Sequence, residues 1–113
     1  MKFVSFALLA LCAAITSAQN QLPAVFSSYD TVKLADGIYA FIAPEDASAF
    51  VSGNSVVIIG SDGALVVDSG HVPSLTKRMI ADITKLTNKP LRFLVNTHWH
   101  PDHVSGNGLY RDQ

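Results

Sequence analysis

Cysteine is nearly absent: Cys12 is the single one among 113 residues. It lies in an N-terminal apolar stretch and follows Leu11, not the small residue that a lipid-anchoring signal needs. The rest of the chain therefore offers no disulfide and no thiolate for a metal. A surplus of one charge is missing too. Eight basic residues face nine acidic ones, the net charge is −1, and no basic run or interleaved aromatic patch stands out. Nucleic acid and anionic membrane surfaces are therefore not expected partners. The chain has no glycine-rich phosphate loop, no internal repeat and no serine or cysteine nucleophile motif. At 49% hydrophobic and 15% charged, it has an ordinary globular composition with room for one domain. Nothing in the sequence speaks to oligomeric state.

Residues 1–18 stand apart. Lys2 gives a positive start, Phe3 to Ile15 is apolar except for Ser5, and Thr16-Ser17-Ala18 supplies small residues before Gln19. This pattern reads as a cleavable secretory signal, which predicts a secreted or periplasmic protein. The apolar run is short for a bilayer span, so no stable membrane insertion is expected after cleavage. Residues 19–30 read as a leader, and residues 31–113 as the folded part.

Thr31–Leu34 and Ile38–Ile42 flank Asp36-Gly37 and predict a β-hairpin. Residues 44–53 read as a loop, with Glu45, Asp46 and Ser48 in solvent and Phe50 and Val51 as an alternative flap over a pocket. Ser55–Ile59 and Ala64–Val67 are strands joined by the turn Gly60–Gly63. The continuous apolar run of the second predicts cover on both faces. Pro73 to Asn88 reads as a helix with Leu75, Met79, Ile83 and Leu86 on one stripe and Ile80 beside them. Leu91–Val95 follows as a buried strand, so strand, helix and strand form a crossover.

The densest chemistry is Asn96-Thr97-His98-Trp99-His100-Pro101-Asp102-His103. His98, His100, Asp102 and His103 are nitrogen and oxygen donors of the kind that bind zinc and its neighbours. In extended backbone His98 and His100 share a side and can converge on one ion. Asp102 and His103 are adjacent, so they join only if Pro101 diverts the chain into a loop or helix start. Trp99 should point away from the ligands and pack on the sheet or the adjoining loop. Asn96 and Thr97 can hydrogen-bond the turn, and Ser105 reads as a local backbone partner. Asp68 ends a buried strand, where a bare carboxylate is costly. It is either an acceptor that fixes its own loop or a group supporting a nearby site. His71, after the same strand, is a loop histidine or a pocket-rim residue.

Thr97 to Gly106 resembles the histidine motif of the metallo-β-lactamase superfamily of hydrolases, and Ser55–Ile59 and Ala64–Gly70 resemble its early strands. The likeness covers about residues 31 to 110. It implies an α/β (α+β) chain that forms the first half of an αββα sandwich. It further implies two zinc ions, with His98 and His100 on the first and Asp102 and His103 on the second. Asp68 and Thr97 would support those ligands. The catalytic role falls to Asp102, which would hold a metal-activated water against an ester, thioester, amide or phosphodiester of a small-molecule substrate.

The chain also departs from that family. It stops ten residues after His103, no histidine follows, and Asp112 is too near the end to match a bridging aspartate. The expectation is a truncated chain of a larger hydrolase, inactive as it stands, with open strand edges. Two other readings remain: an iron-dependent redox relative on the same fold, and a short non-catalytic binding product.

Overall fold

The computed structural model describes residues 29–43, 53–111 and 113. The expected signal, most of the leader, the Pro44–Val51 stretch with its flap residues, and Asp112 lie outside the described residues. The described part is an α+β arrangement of five strands and three helices: β1 (Asp30–Ala35), β2 (Ile38–Ile42), β3 (Ser55–Ile59), β4 (Ala64–Val67), α1 (Pro73–Leu86), β5 (Leu91–Val95), α2 (Pro101–Val104) and α3 (Asn107–Arg111). The strands form one sheet in the order β1-β2-β3-β4-β5.

The sheet follows from local chemistry. Asp36-Gly37 closes the β1–β2 hairpin, with Gly37 at φ 73, a conformation glycine adopts without steric cost. β2, β3 and β4 pair antiparallel, and the tight turn after β3 is closed by the Gly60 N–H donating to the Gly63 carbonyl at 2.9 Å. β4 and β5 are parallel, as a strand–helix–strand crossover requires. α1 begins at Pro73, whose missing N–H costs nothing in a first turn. It ends at Leu86, two residues before the expected Asn88, because Thr87 is extended and donates its N–H back to Ile83.

Registration puts Tyr39, Val57, Val66 and Leu94 in one row across β2–β5. That row faces the helices, where Phe41, Val57, Ala64, Val66, Met79, Ile80, Ile83 and Tyr110 form the core. Val57, Val66 and Ile83 are fully buried, each worth about 1.5–3 kcal/mol of transfer from water. Thr76 is also buried on α1, at a place the apolar stripe did not mark. The opposite face is bare. Ile58 and Val95 are exposed, and Phe93 is 60% exposed. The expectations of a buried β5 and of double cover over β4 are therefore corrected. Among the described residues helices cover only one face of the sheet, and β5 is its edge.

Parallel pairing sets the site. Val67 lies opposite Val95, so β4 and β5 end side by side and the residues just past them are neighbours. Tyr29 and Asp30, expected in the leader, belong to the fold: Tyr29 packs edge-on against Phe41 at 5.1 Å and donates a 2.6 Å hydrogen bond to Asp82 of α1.

Candidate metal centre

Asp68 is the first residue past β4. Its N–H donates to the Val95 carbonyl at 2.8 Å, which prolongs the ladder by one rung. Its backbone then turns to φ 63, a conformation that aspartate and asparagine tolerate better than most residues. The side chain is 5% exposed. Three donors meet the carboxylate: Thr97 N–H to Oδ1 at 2.7 Å, Thr97 Oγ1 to Oδ2 at 2.8 Å, and His103 Nδ1 to Oδ2 at 2.8 Å. Burial works against its charge, but the hydrogen bonds from Thr97 and His103 together outweigh burial. They hold the Asp68 carboxyl below the ordinary carboxylate range.

After β5 the chain bends through residues 97–100. His100 itself is extended (φ −62, ψ 147), and Pro101 then starts α2. The His103 and Val104 N–H groups donate to the His100 carbonyl at 2.9 and 3.2 Å. This single helical turn is the diversion that the sequence required after Pro101. It swings Asp102 and His103 back beside His98, whose ring centroid lies 4.0 Å from that of His103.

The donors come in two pairs. His98 Nε2 faces His100 Nδ1 at 3.1 Å, and His103 Nε2 faces Asp102 Oδ2 at 3.0 Å. Among the described residues no group of three or more His, Cys, Asp or Glu side chains is gathered round one point. The hydrogen-bond network assigns the tautomers. Thr97 Oγ1 gives its one proton to Asp68, so it accepts at 3.0 Å from His98 Nδ1–H, and the Nε2 lone pair of His98 is left facing His100. His103 gives its Nδ1 proton to Asp68, which turns its own Nε2 lone pair toward the Asp102 carboxylate.

These residues fit a divalent cation. Two donors on one tetrahedral zinc, each bound at about 2.0–2.1 Å, stand roughly 3.3 Å apart. Both pairs have nearly that separation. A lone pair and a carboxylate oxygen 3.0 Å apart attract only with a proton or a cation between them. A ligating histidine that donates its other nitrogen to a buried carboxylate is a familiar support for a metal. Here that carboxylate belongs to Asp68, so of its two readings the one beside the histidines matches the geometry, and the carboxylate fixes its neighbours as well.

The remaining expectations divide. Trp99 is 78% exposed and meets His100 edge-on at 4.8 Å. The expected packing on sheet or loop is corrected: on the bend after β5 most of its surface faces solvent. His71 lines a cavity with Tyr29, Phe41, Leu75 and Met79, and none of the four donors lines it. Ser105 ends α2 and donates its N–H to the Pro101 carbonyl. Sequence reasoning missed Ser69 and Asn107. Ser69 bonds the His103 carbonyl and Asn107 bonds Asn96, and neither carries a local signal beyond being polar.

The family model of the metallo-beta-lactamase superfamily matches residues 49–113. The linear primary-alkylsulfatase of a Pseudomonas species is 34% identical over 50 residues, covering 44% of this chain and 10% of the relative. The solved metallo-beta-lactamase from Pontibacter korlensis superposes with a TM-score of 0.67 at 20% identity, over 76% of this chain and 40% of that one. FIM-1 from Pseudomonas aeruginosa, solved in a mono-zinc form, gives 0.63 at 22% identity, over 75% of this chain and 38% of that one. The chain thus spans a tenth of that curated relative and about two fifths of those structures. With the family matched over more than half of its length, on a sheet and crossover that the solved structures share, the chain belongs to the metallo-beta-lactamase superfamily.

Proposed function

We propose that this chain is the N-terminal part of an exported zinc hydrolase. In this reading His98 and His100 hold one cation and Asp102 and His103 a second, with further ligands from the rest of a longer protein. A cation held there supplies Lewis acidity, which polarises a carbonyl, phosphoryl or sulfuryl oxygen and acidifies water. The chain's own residues do the positioning. Asp68 and Thr97 fix the tautomers of His98 and His103, and Asp102 directs its carboxylate at the reacting water. The substrate is a small molecule carrying an ester, thioester, amide or phosphodiester. The alkylsulfatase relative adds a sulfate ester to that range.

One observation carries the proposal: two donor pairs, each 3.0–3.1 Å apart, stand together at the ends of β4 and β5. Zinc is chosen for its fit to imidazole and carboxylate, and the mono-zinc FIM-1 structure supports the choice. Export rests on residues 1–18. The test is zinc titration of the 113-residue chain beside a variant with His98→Ala and His100→Ala. Zinc binding by the parent and a weakened first event in the variant are expected. No binding by the parent, or equal binding by both, overturns the proposal, and elemental analysis that finds iron replaces zinc with the redox reading. N-terminal sequencing of exported protein should begin at Gln19, and retained Met1 refutes cleavage.

A further inference from the structure

The main-chain carbonyl of His103 is held more firmly than a helix end requires. In a four-residue helix such as α2 the carbonyls of the later residues have no partner within the helix. The His103 oxygen nevertheless accepts three hydrogen bonds: from Ser69 N–H at 2.8 Å, Ser69 Oγ at 3.0 Å and Asn96 Nδ2 at 2.7 Å. A carbonyl has two lone pairs, so this acceptor is saturated. The donors come from the two strand ends. Asp68 and Thr97 fix the His103 ring, and their neighbours Ser69 and Asn96 fix its backbone. Asn96 is in turn oriented from α3, where Asn107 Nδ2 donates to Asn96 Oδ1 at 2.8 Å. That bond decides which end of the Asn96 amide faces His103.

We infer that Asn96, oriented by Asn107, is a positioning residue: it fixes the His103 main chain and thereby the angle at which Asp102 and His103 meet their cation. The inference rests on the metal reading above. It reaches only the second pair. His98 and His100 precede Pro101 on the bend after β5, and His98 is tied to Asp68 through Thr97 Oγ1. Loss of the Asn96 bond leaves that connection intact.

Two variants test the inference by different routes. Asn96→Ala removes the donor. Asn107→Asp leaves Asn96 in place but sets a carboxylate oxygen against Asn96 Oδ1, so the amide turns over and presents oxygen to the His103 carbonyl. Circular dichroism selects the variants that keep the fold, and the second serves where the first does not. In metal-free protein, amide exchange at His103, Val104 and Ser105 should speed up on the order of tenfold in either variant. In titrations with Zn2+ or Co2+, the second binding event should weaken by about 10–100-fold while the first stays within about threefold. Parallel weakening of both events reduces Asn96 to a general structural role and overturns the inference, as does unchanged binding and exchange. A parent chain that binds no metal fails the proposed function first. In that case faster exchange marks a purely structural link, and the positioning role falls with the function.

Discussion

His103 Nδ1 stands 2.8 Å from Asp68 Oδ2, across thirty-five residues of sequence. Only the parallel pairing of β4 with β5 brings the two together, because it ends both strands at the same level. The contact is therefore a property of the folded chain. The adjacency of His98, His100, Asp102 and His103, in contrast, survives in any conformation.

Asp68→Asn isolates the charge in that contact. Asparagine tolerates φ 63 as aspartate does and still accepts from Thr97, but its amide meets the His103 Nδ1 proton with a second donor or a weaker acceptor. The fold should lose about 1.5–3 kcal/mol, the usual worth of a hydrogen bond to a charged group, as read by urea unfolding. Zinc affinity should fall by about 10–100-fold in competition with a coloured chelator. Unchanged affinity at full occupancy of the fold shows that Asp68 serves the loop alone.

Two glycines two residues apart should respond oppositely to alanine. Gly106 is buried where α2 meets the end of β4, and a Cβ there overlaps the Ser69 carbonyl oxygen and the Thr76 side chain. Gly106→Ala should destabilise by about 1–3 kcal/mol. Gly108 is exposed on α3 with nothing within 4 Å of the added carbon, and Gly108→Ala should stabilise by about 0.5–1 kcal/mol. Paired denaturation curves decide; effects of the same sign contradict the packing described for Gly106.

The behaviour of these residues marks what the sequence could and could not disclose. β2 to β5 and the start of α1 were legible because apolar runs, Asp36-Gly37 and Pro73 act within a few residues of themselves. The four donors were legible because a short segment holds them all. Their pairing two by two needed Pro101 to begin a helix, which the sequence offered only as a condition. The partner of His103 was less legible. Asp68 read equally well as a loop acceptor, since nothing local tells which strand ends beside β4. Thr76, Ser69 and Gly106 make a close contact across three elements and look like ordinary small residues in the chain. Phe93 and Trp99 misled for the opposite reason: apolar character predicts burial, and the described residues offer no layer to bury them.

Away from the histidines, Asp82 gives the chain a measurable acid response. Lys85 lies 2.6 Å from Oδ1 and Tyr29 donates to Oδ2 at 2.6 Å, and these bonds, Lys85 first, hold the carboxyl below its ordinary range. A depressed folded value means stability that is fully present above the unfolded carboxylate pKa of about 3.9 and lost as pH falls through the lower folded value. The difference in unfolding free energy between the parent and Asp82→Asn should therefore be constant near neutral pH and shrink below about pH 4. Because Lys85 is exposed, the difference should also shrink at high salt. A difference that grows with acid contradicts the assignment.

Zinc itself should stabilise the fold, and Asp68 tells how. A ligand that binds only the folded state at a hundred times its dissociation constant adds about 2.7 kcal/mol. For a folded part of this size that raises the melting midpoint by roughly 10–20 °C. The true shift is smaller, because three histidines within six residues also bind zinc in the unfolded chain and so draw the equilibrium back. His98→Ala with His100→Ala removes donors from both states. Asp68→Asn weakens the folded site alone, since Asp68 reaches His103 only through the sheet. The zinc-induced rise in melting temperature should thus be clear in the parent, reversed by chelator and sharply reduced in Asp68→Asn, while peptide 96–106 binds zinc with no help from Asp68. An equal rise in parent and Asp68→Asn means that zinc engages the histidines without the preorganisation that β4 and β5 supply.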